Sequence, residues 1–306
     1  MPVAAEAKPG KAPGMLPRPT EQIDALWNHR IAGRSEWPSP LPLPPPTPES
    51  ENHGFKVLYQ GKGPVEVDIV AVHGLNGHRE RSWTAANGTN WLRDLLPKDM
   101  PGIRVASWGW SLPIAEKSSE RTSQQAISEK LILDLWELRS STNTIHRPII
   151  FIAHSAGGPI VKSALLFSKS APTGPTQDLH SIKGSTRGAI FLGSTELGSR
   201  LAGLENYLTS AQGSDQESSE VYQEALWLVN TLHRYNVISD GIWTLSVHER
   251  PGSSSSETKW DEGNCSHIFS RAGHDDMIKF ERFSEEGYLQ IKEHLMFVDL
   301  NTEFGA

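Results

Sequence analysis

A single cysteine, Cys265, among 306 residues excludes an intramolecular disulfide and suits a reducing compartment. Long apolar runs are also missing: none approaches the roughly 18 residues of a membrane-spanning helix. Lys and Arg number 29 against 36 Asp and Glu, a net charge of -7. That balance argues against the clustered basic surface of a nucleic-acid-binding protein. The first residues carry Lys8, Lys11 and Arg18 but lack the apolar core of a secretory signal. These absences predict an intracellular protein, cytoplasmic first, with no nucleic-acid partner and no transmembrane segment. Any membrane contact is expected to be peripheral.

Proline is abundant, and unevenly so. The first 50 residues hold 12 of the 21 prolines, a density that disrupts helix and sheet hydrogen bonding. Residues 1–50 therefore read as a largely disordered arm, followed by one globular domain over 51–306. Within the arm, 20–31 is a helical candidate, with Thr20 as cap and Ile23, Leu26, Trp27 and Ile31 on one face. That helix either packs back on the domain or docks a protein partner.

The richest stretch is Pro148-Ile149-Ile150-Phe151-Ile152-Ala153-His154-Ser155-Ala156-Gly157-Gly158. A β-branched and aromatic run feeds a serine flanked by small residues, and helical spacing follows at Ile160, Val161, Ala164 and Leu165. Strand, abrupt turn, helix is the pattern of a nucleophile elbow, in which a strained serine stands above a parallel sheet. Strand and helix pass closely there, so the flanking positions must be small. The usual pattern is G-x-S-x-G, and here Ala153 replaces its first glycine. The plainer alternative is a serine that ends an ordinary buried strand.

Further strands are expected at 55–60, 65–72, 103–107, 186–193 and 242–248. Helices are expected at 91–96, 118–139, 156–169, 222–235 and 288–297. The alternation predicts an α/β-hydrolase fold: a mostly parallel sheet with helices on both faces. The segment 197–240 interrupts the alternation and is either a small helical lid or a crossover the topology requires.

A serine needs a base, and the base an orienting acid. His274, in a loop before the last helix, is the leading base, with His267 and His248 as alternatives. Glu249, at the end of the 242–248 strand, is the leading acid, against Glu196, Asp275 and Asp276. The oxyanion donors expected are the backbone N–H of Ala156 and of Gly74 or Leu75, in the loop after the 65–72 strand. His73, Trp108 and Trp110 follow strand ends as well and are expected to contact substrate at the carboxyl rim. His73 and His78 do not have the spacing of a zinc site, so no metal and no cofactor is expected.

Taken together these motifs resemble lipase-like serine esterases related to the serine active site-containing protein family. In fungi such domains also precede NACHT or NB-ARC receptors. The resemblance runs from about 55 to 297. It rests on Val72-His73-Gly74-Leu75-Asn76-Gly77, Trp91-Leu92, the elbow, Thr186-Arg187-Gly188-Ala189-Ile190-Phe191-Leu192-Gly193 and His274-Asp275-Asp276-Met277-Ile278-Lys279-Phe280. It implies an α/β-hydrolase fold and a triad of Ser155, Glu249 and His274. It also implies a small-molecule or lipid ester substrate, and a link to mitochondrial or endoplasmic-reticulum membranes or to fungal signalling. Besides Ala153, the chain departs from the family at Ser194-Thr195-Glu196, where the family has Thr-Pro-His. The competing expectation is a signalling or interaction module that keeps the scaffold without turnover.

Overall fold

The computed structural model describes residues 52–112, 123–171, 178–194, 198–213, 219–250 and 264–303. The arm with its 20–31 helix, and Glu196, lie outside the described residues. The sheet has seven strands: β1 (Gly54–Gln60), β2 (Val67–Val72), β3 (Ile103–Gly109), β4 (Ile149–His154), β5 (Thr186–Leu192), β6 (Trp243–Glu249) and β7 (Cys265–Ser270). Their order is β1-β3-β2-β4-β5-β6-β7. All neighbours pair in parallel except β1, which runs antiparallel to β3. This mostly parallel sheet, with an elbow after its central strand, is the α/β-hydrolase arrangement.

The central strands are buried at every position: Val-Asp-Ile-Val-Ala-Val in β2 and Ile-Ile-Phe-Ile-Ala-His in β4. Near-continuous apolar strands are what a parallel sheet covered on both faces requires. Strand alternation then divides the core in two. Ile69, Ala71, Ile150 and Ile152 face Trp91, Leu92, Tyr288 and Leu295. Val70, Val72, Phe151 and Ala153 face Leu131, Leu135, Ile160 and Leu165. Cutting Ile152 to alanine removes fully buried methyl groups and should cost about 2–5 kcal/mol.

The helices are α1 (Trp91–Asp94), α2 (Leu96–Asp99), α3 (Ser123–Ser141), α4 (Gly157–Ser170), α5 (His180–Ser185), α6 (Gly198–Ala211), α7 (Glu220–Ile238) and α8 (Glu286–Glu303). The single helix expected at 91–96 is two short ones, because Pro97 occupies the first turn of α2. The direction of β1 departs from simple alternation for a similar reason. Segment 61–66 is too short for the crossover a parallel pair needs, so β1 pairs antiparallel on the far side of β3. Strand β7 and helix α6 were not among the expected elements.

Candidate active site

The elbow has the conformation its sequence demands. Ser155 has φ 49°, in the left-handed region that a β-carbon disfavours. It is pinned there by three bonds: its N–H donates to Leu192 O at 2.9 Å, and its carbonyl accepts from Gly158 N and Ser194 Oγ, both at 3.0 Å. The small neighbours are explained by close approach. A β-carbon on Gly157 would lie 2.6 Å from the carbonyl oxygens of both Val72 and His73, so helix α4 reaches the end of β2 only without a side chain. On Gly74 it would lie 2.9 Å from Ser155 Cβ, which brings the loop after β2 against the serine. Ala153 fits fully buried in the sheet, paired with Val72 and Phe191.

His274 and Glu249 meet at the same edge. His274 Nδ1 and Glu249 Oε1 are 2.6 Å apart, with side chains 38% and 49% exposed. Glu249 ends β6, and the loop of His274 is tied to the core by buried Met277, Ile278 and Phe280. Trp91 Nε1 donates to Ile278 O at 2.8 Å and tightens that anchor. Gly193, with φ 60°, leaves room for the imidazole: a β-carbon there would come within 3.1 Å of the His274 ring. Among the described residues, Ser155 Oγ forms no hydrogen bond, to His274 or to any other group.

Of the other expected site residues, Ala156, Gly74, Leu75 and Trp110 lie beside the serine, and His73 and Trp108 do not line its cavity. Ala156 is the N-cap of α4, so its N–H stands at the positive end of that helix. Gly74 opens a turn in which Gly77 N–H donates to its carbonyl and Asn76 takes φ 58°. Leu75, at the turn's tip, is half exposed. His73 is fully buried beneath this turn and does not line the serine cavity. Its Nδ1–H donates to Gly74 O at 2.7 Å, its Nε2 accepts from Trp110 N–H at 3.3 Å, and its ring stacks on Trp110. Burial pushes its pKa down to about 4, which keeps it neutral. Trp108 also departs from its expected place at the rim. It lies inside β3, 1% exposed, with Nε1 donating to Asp134 of α3 at 2.9 Å. Trp110, one residue past the strand, lines the cavity beside Ser155. His248 and His267 hydrogen-bond to each other at 3.0 Å across β6 and β7.

Sequence reasoning missed His154. Its Nε2–H donates to the backbone carbonyl of His274 at 3.0 Å, and the two rings lie 4.8 Å apart. Burial lowers its pKa to about 4, so it stays a neutral donor. The residue before the serine thereby fixes the loop that carries the imidazole. Only its place in the elbow hinted at this, since the partner is 120 positions away. The missed helix α6 matters too. With the first half of α7 it roofs a cavity of about 560 Å³ that opens beside Ser155. Its lining is mostly apolar: Trp110, Pro159, Ile160, Leu204, Tyr207 and Leu228 among others. The second half of α7 packs into the core through Tyr235 against Phe191. Helix α6 is therefore part of the roof, and α7 is both roof and crossover.

Among the described residues one group, His154, His274 and Asp275, brings possible metal-ligand atoms within 4.8 Å of each other. Two of those side chains are already engaged, His154 with the His274 carbonyl and His274 with Glu249.

No family model matches the chain. It is 27% identical over 164 residues to human Protein SERAC1, a match covering 47% of this chain and 24% of that protein. Mouse Protein SERAC1 is 29% identical over 164 residues, covering 45% of this chain and 23% of that protein. Among solved structures, a thermophilic esterase from Thermogutta terrifontis overlaps at TM-score 0.43 and 14% identity, covering 80% of this chain and 93% of that one. MenH from S. aureus overlaps at TM-score 0.41 and 12% identity, covering 80% and 98%. These likenesses are distant, and strand order together with the elbow carries the fold. The chain spans about a quarter of the length of the curated relatives it matches.

Proposed function

We propose that this domain is a serine hydrolase that cleaves carboxylic esters of apolar acyl groups. Ser155 is the nucleophile, His274 the general base and Glu249 its orienting acid. The observation that carries this reading is the pairing of a strained Ser155 backbone with a Glu249–His274 hydrogen bond at the same sheet edge. Glu249 accepts the Nδ1 proton of His274, which leaves Nε2 free to take the serine proton as Oγ attacks the ester carbonyl. The oxyanion is held by the N–H of Ala156 and by that of Gly74 or Leu75. His274 then gives its proton to the leaving alcohol, and water repeats the sequence on the acyl-enzyme.

Substrate class follows from the lining. A largely apolar cavity with few polar groups favours an acyl chain over a charged substituent. Lipid esters presented at a membrane surface are one source of such chains, and exposed Leu75, Leu112 and Val221 bordering the cavity suit that contact. The test is p-nitrophenyl ester hydrolysis by the purified protein. Ser155→Ala should reduce kcat on the order of 10⁴-fold or more while leaving the fold intact. Equal turnover by wild type and Ser155→Ala would overturn the reading.

A second reading has one observation behind it: Ser155 Oγ and His274 are not hydrogen-bonded. A scaffold that binds an ester-like ligand without turnover fits this. It predicts ligand binding by wild type and by Ser155→Ala alike, with no hydrolysis by either.

A further inference from the structure

The serine cavity has a neighbour. A second cavity of about 320 Å³ lies over α4 at Ser163, Leu166 and Phe167 and against α7 at Asn230 and Thr231. The serine cavity uses the preceding turn of α4, Pro159 and Ile160; on α7 it meets Val221, Ala225 and Leu228, whereas the second cavity meets another face of the same stretch at Gln223, Leu226 and Asn230. The two cavities therefore sit on successive turns of α4 and on either side of α7. Among the described residues that line them, Trp227 alone borders both. Its indole packs against the core on the α4 side. Its Nε1–H is buried and makes no hydrogen bond among the described residues. Among the described residues, packing holds the ring as the partition and no polar bond fixes it there.

We infer that Trp227 sets the length of acyl chain the site accepts. A linear chain whose carbonyl is at Ser155 runs along Ile160 and stops against the indole. The compartment beyond, where Leu166, Phe167 and Leu226 are joined by polar Gln125, Glu129, Asn230 and Arg234, is a second subsite that opens when the ring is removed. This rests on the proposed hydrolase reading for its chemistry, but the partition itself is a matter of shape and is measurable without turnover.

The experiment measures binding first. Linear carboxylates from hexanoate to hexadecanoate are titrated calorimetrically into Ser155→Ala protein. Affinity should rise roughly fourfold per methylene while the chain is being buried, then level off. In Ser155→Ala/Trp227→Ala the levelling point should move several methylenes longer, and adding Leu166→Trp should return it. Trp227→Phe should give a smaller shift and serves if the alanine variant does not fold. In proteins that retain Ser155, kcat/KM for p-nitrophenyl esters should move the same way. A levelling point unmoved in folded Trp227 variants overturns the partition, and hydrolysis by those variants would leave the Ser155 reading standing. A shifted binding series with no hydrolysis by wild type upholds the partition and overturns the hydrolase reading.

Discussion

The two ends of the central strands handle charge in opposite ways. At the amino end, Asp68 of β2 is 2% exposed and receives Arg104 at 2.7 Å, Arg147 at 2.9 Å, and Arg139. Most of the surplus donors are absorbed as well: Arg139 Nη2 bonds the carbonyls of Ile145 and Arg147 at 2.6 Å, and Arg104 reaches Thr142 and Thr144, while Arg139 Nε is buried without a partner among the described residues. Burial still pushes Arg139 down to about 10, with Asp68 opposing that shift. At the carboxyl end, Glu249 and His274 share one bond, both are substantially exposed, and Ser155 Oγ has no bond among the described residues. The first end spends nearly all its hydrogen-bonding capacity on the fold. The second keeps capacity for a ligand and accepts backbone strain at Ser155 in exchange.

Breaking the amino end should affect stability and spare chemistry. Asp68→Asn leaves three arginines around a neutral group and should destabilise the fold by about 3–5 kcal/mol. Urea denaturation reads that loss, while kcat per folded molecule should stay near wild type. Breaking the carboxyl end should do the reverse. Glu249→Gln removes the acceptor that orients His274 and should lower kcat by about 10²- to 10⁴-fold, with a denaturation midpoint close to wild type. Equal effects of both substitutions on stability and turnover would erase the contrast.

Acid sharpens the comparison through His73, which is buried and neutral although it borders the site. Its folded pKa, about 4, is below the ordinary 6.5, so its contribution is complete above pH 6.5 and is lost as pH falls towards 4. Protonation removes the Nε2 lone pair that accepts from Trp110 N–H. Between pH 6.5 and pH 5 the loss should be about 2 kcal/mol, since one pKa unit is about 1.4 kcal/mol. His73→Gln should flatten that part of the urea-midpoint profile, and an unchanged slope would count against it. The smallest effect is expected at His154, a positioning residue. His154→Leu deletes one neutral bond to the His274 carbonyl, worth about 1 kcal/mol. It should lower kcat roughly fivefold to tenfold with KM little changed.

Legibility in the sequence followed burial. Strands β2, β4 and β5 are buried apolar runs, and the elbow announces itself through a run, a serine and two glycines in a row. Strand β7 (Cys-Ser-His-Ile-Phe-Ser) lies at the sheet edge with no fully buried position, so it has no apolar run to read. Helix α6 opens on Gly198 and Ser199, which read as loop, yet it helps to roof the cavity. Trp108 and Trp110 look alike in sequence. Both are buried in the same core layer, and Trp110, one residue past the strand end at Gly109, also lines the cavity. The bond from His154 to His274 joins distant loops and has no local signature.

The most direct test of Ser155 as nucleophile is the mass of the intact protein after reaction with a fluorophosphonate probe, followed by peptide mapping. The expected result is one adduct per chain, carried by the peptide that contains Ser155 and absent from Ser155→Ala. A folded wild-type protein with no adduct, or with its adduct on another residue, would contradict it.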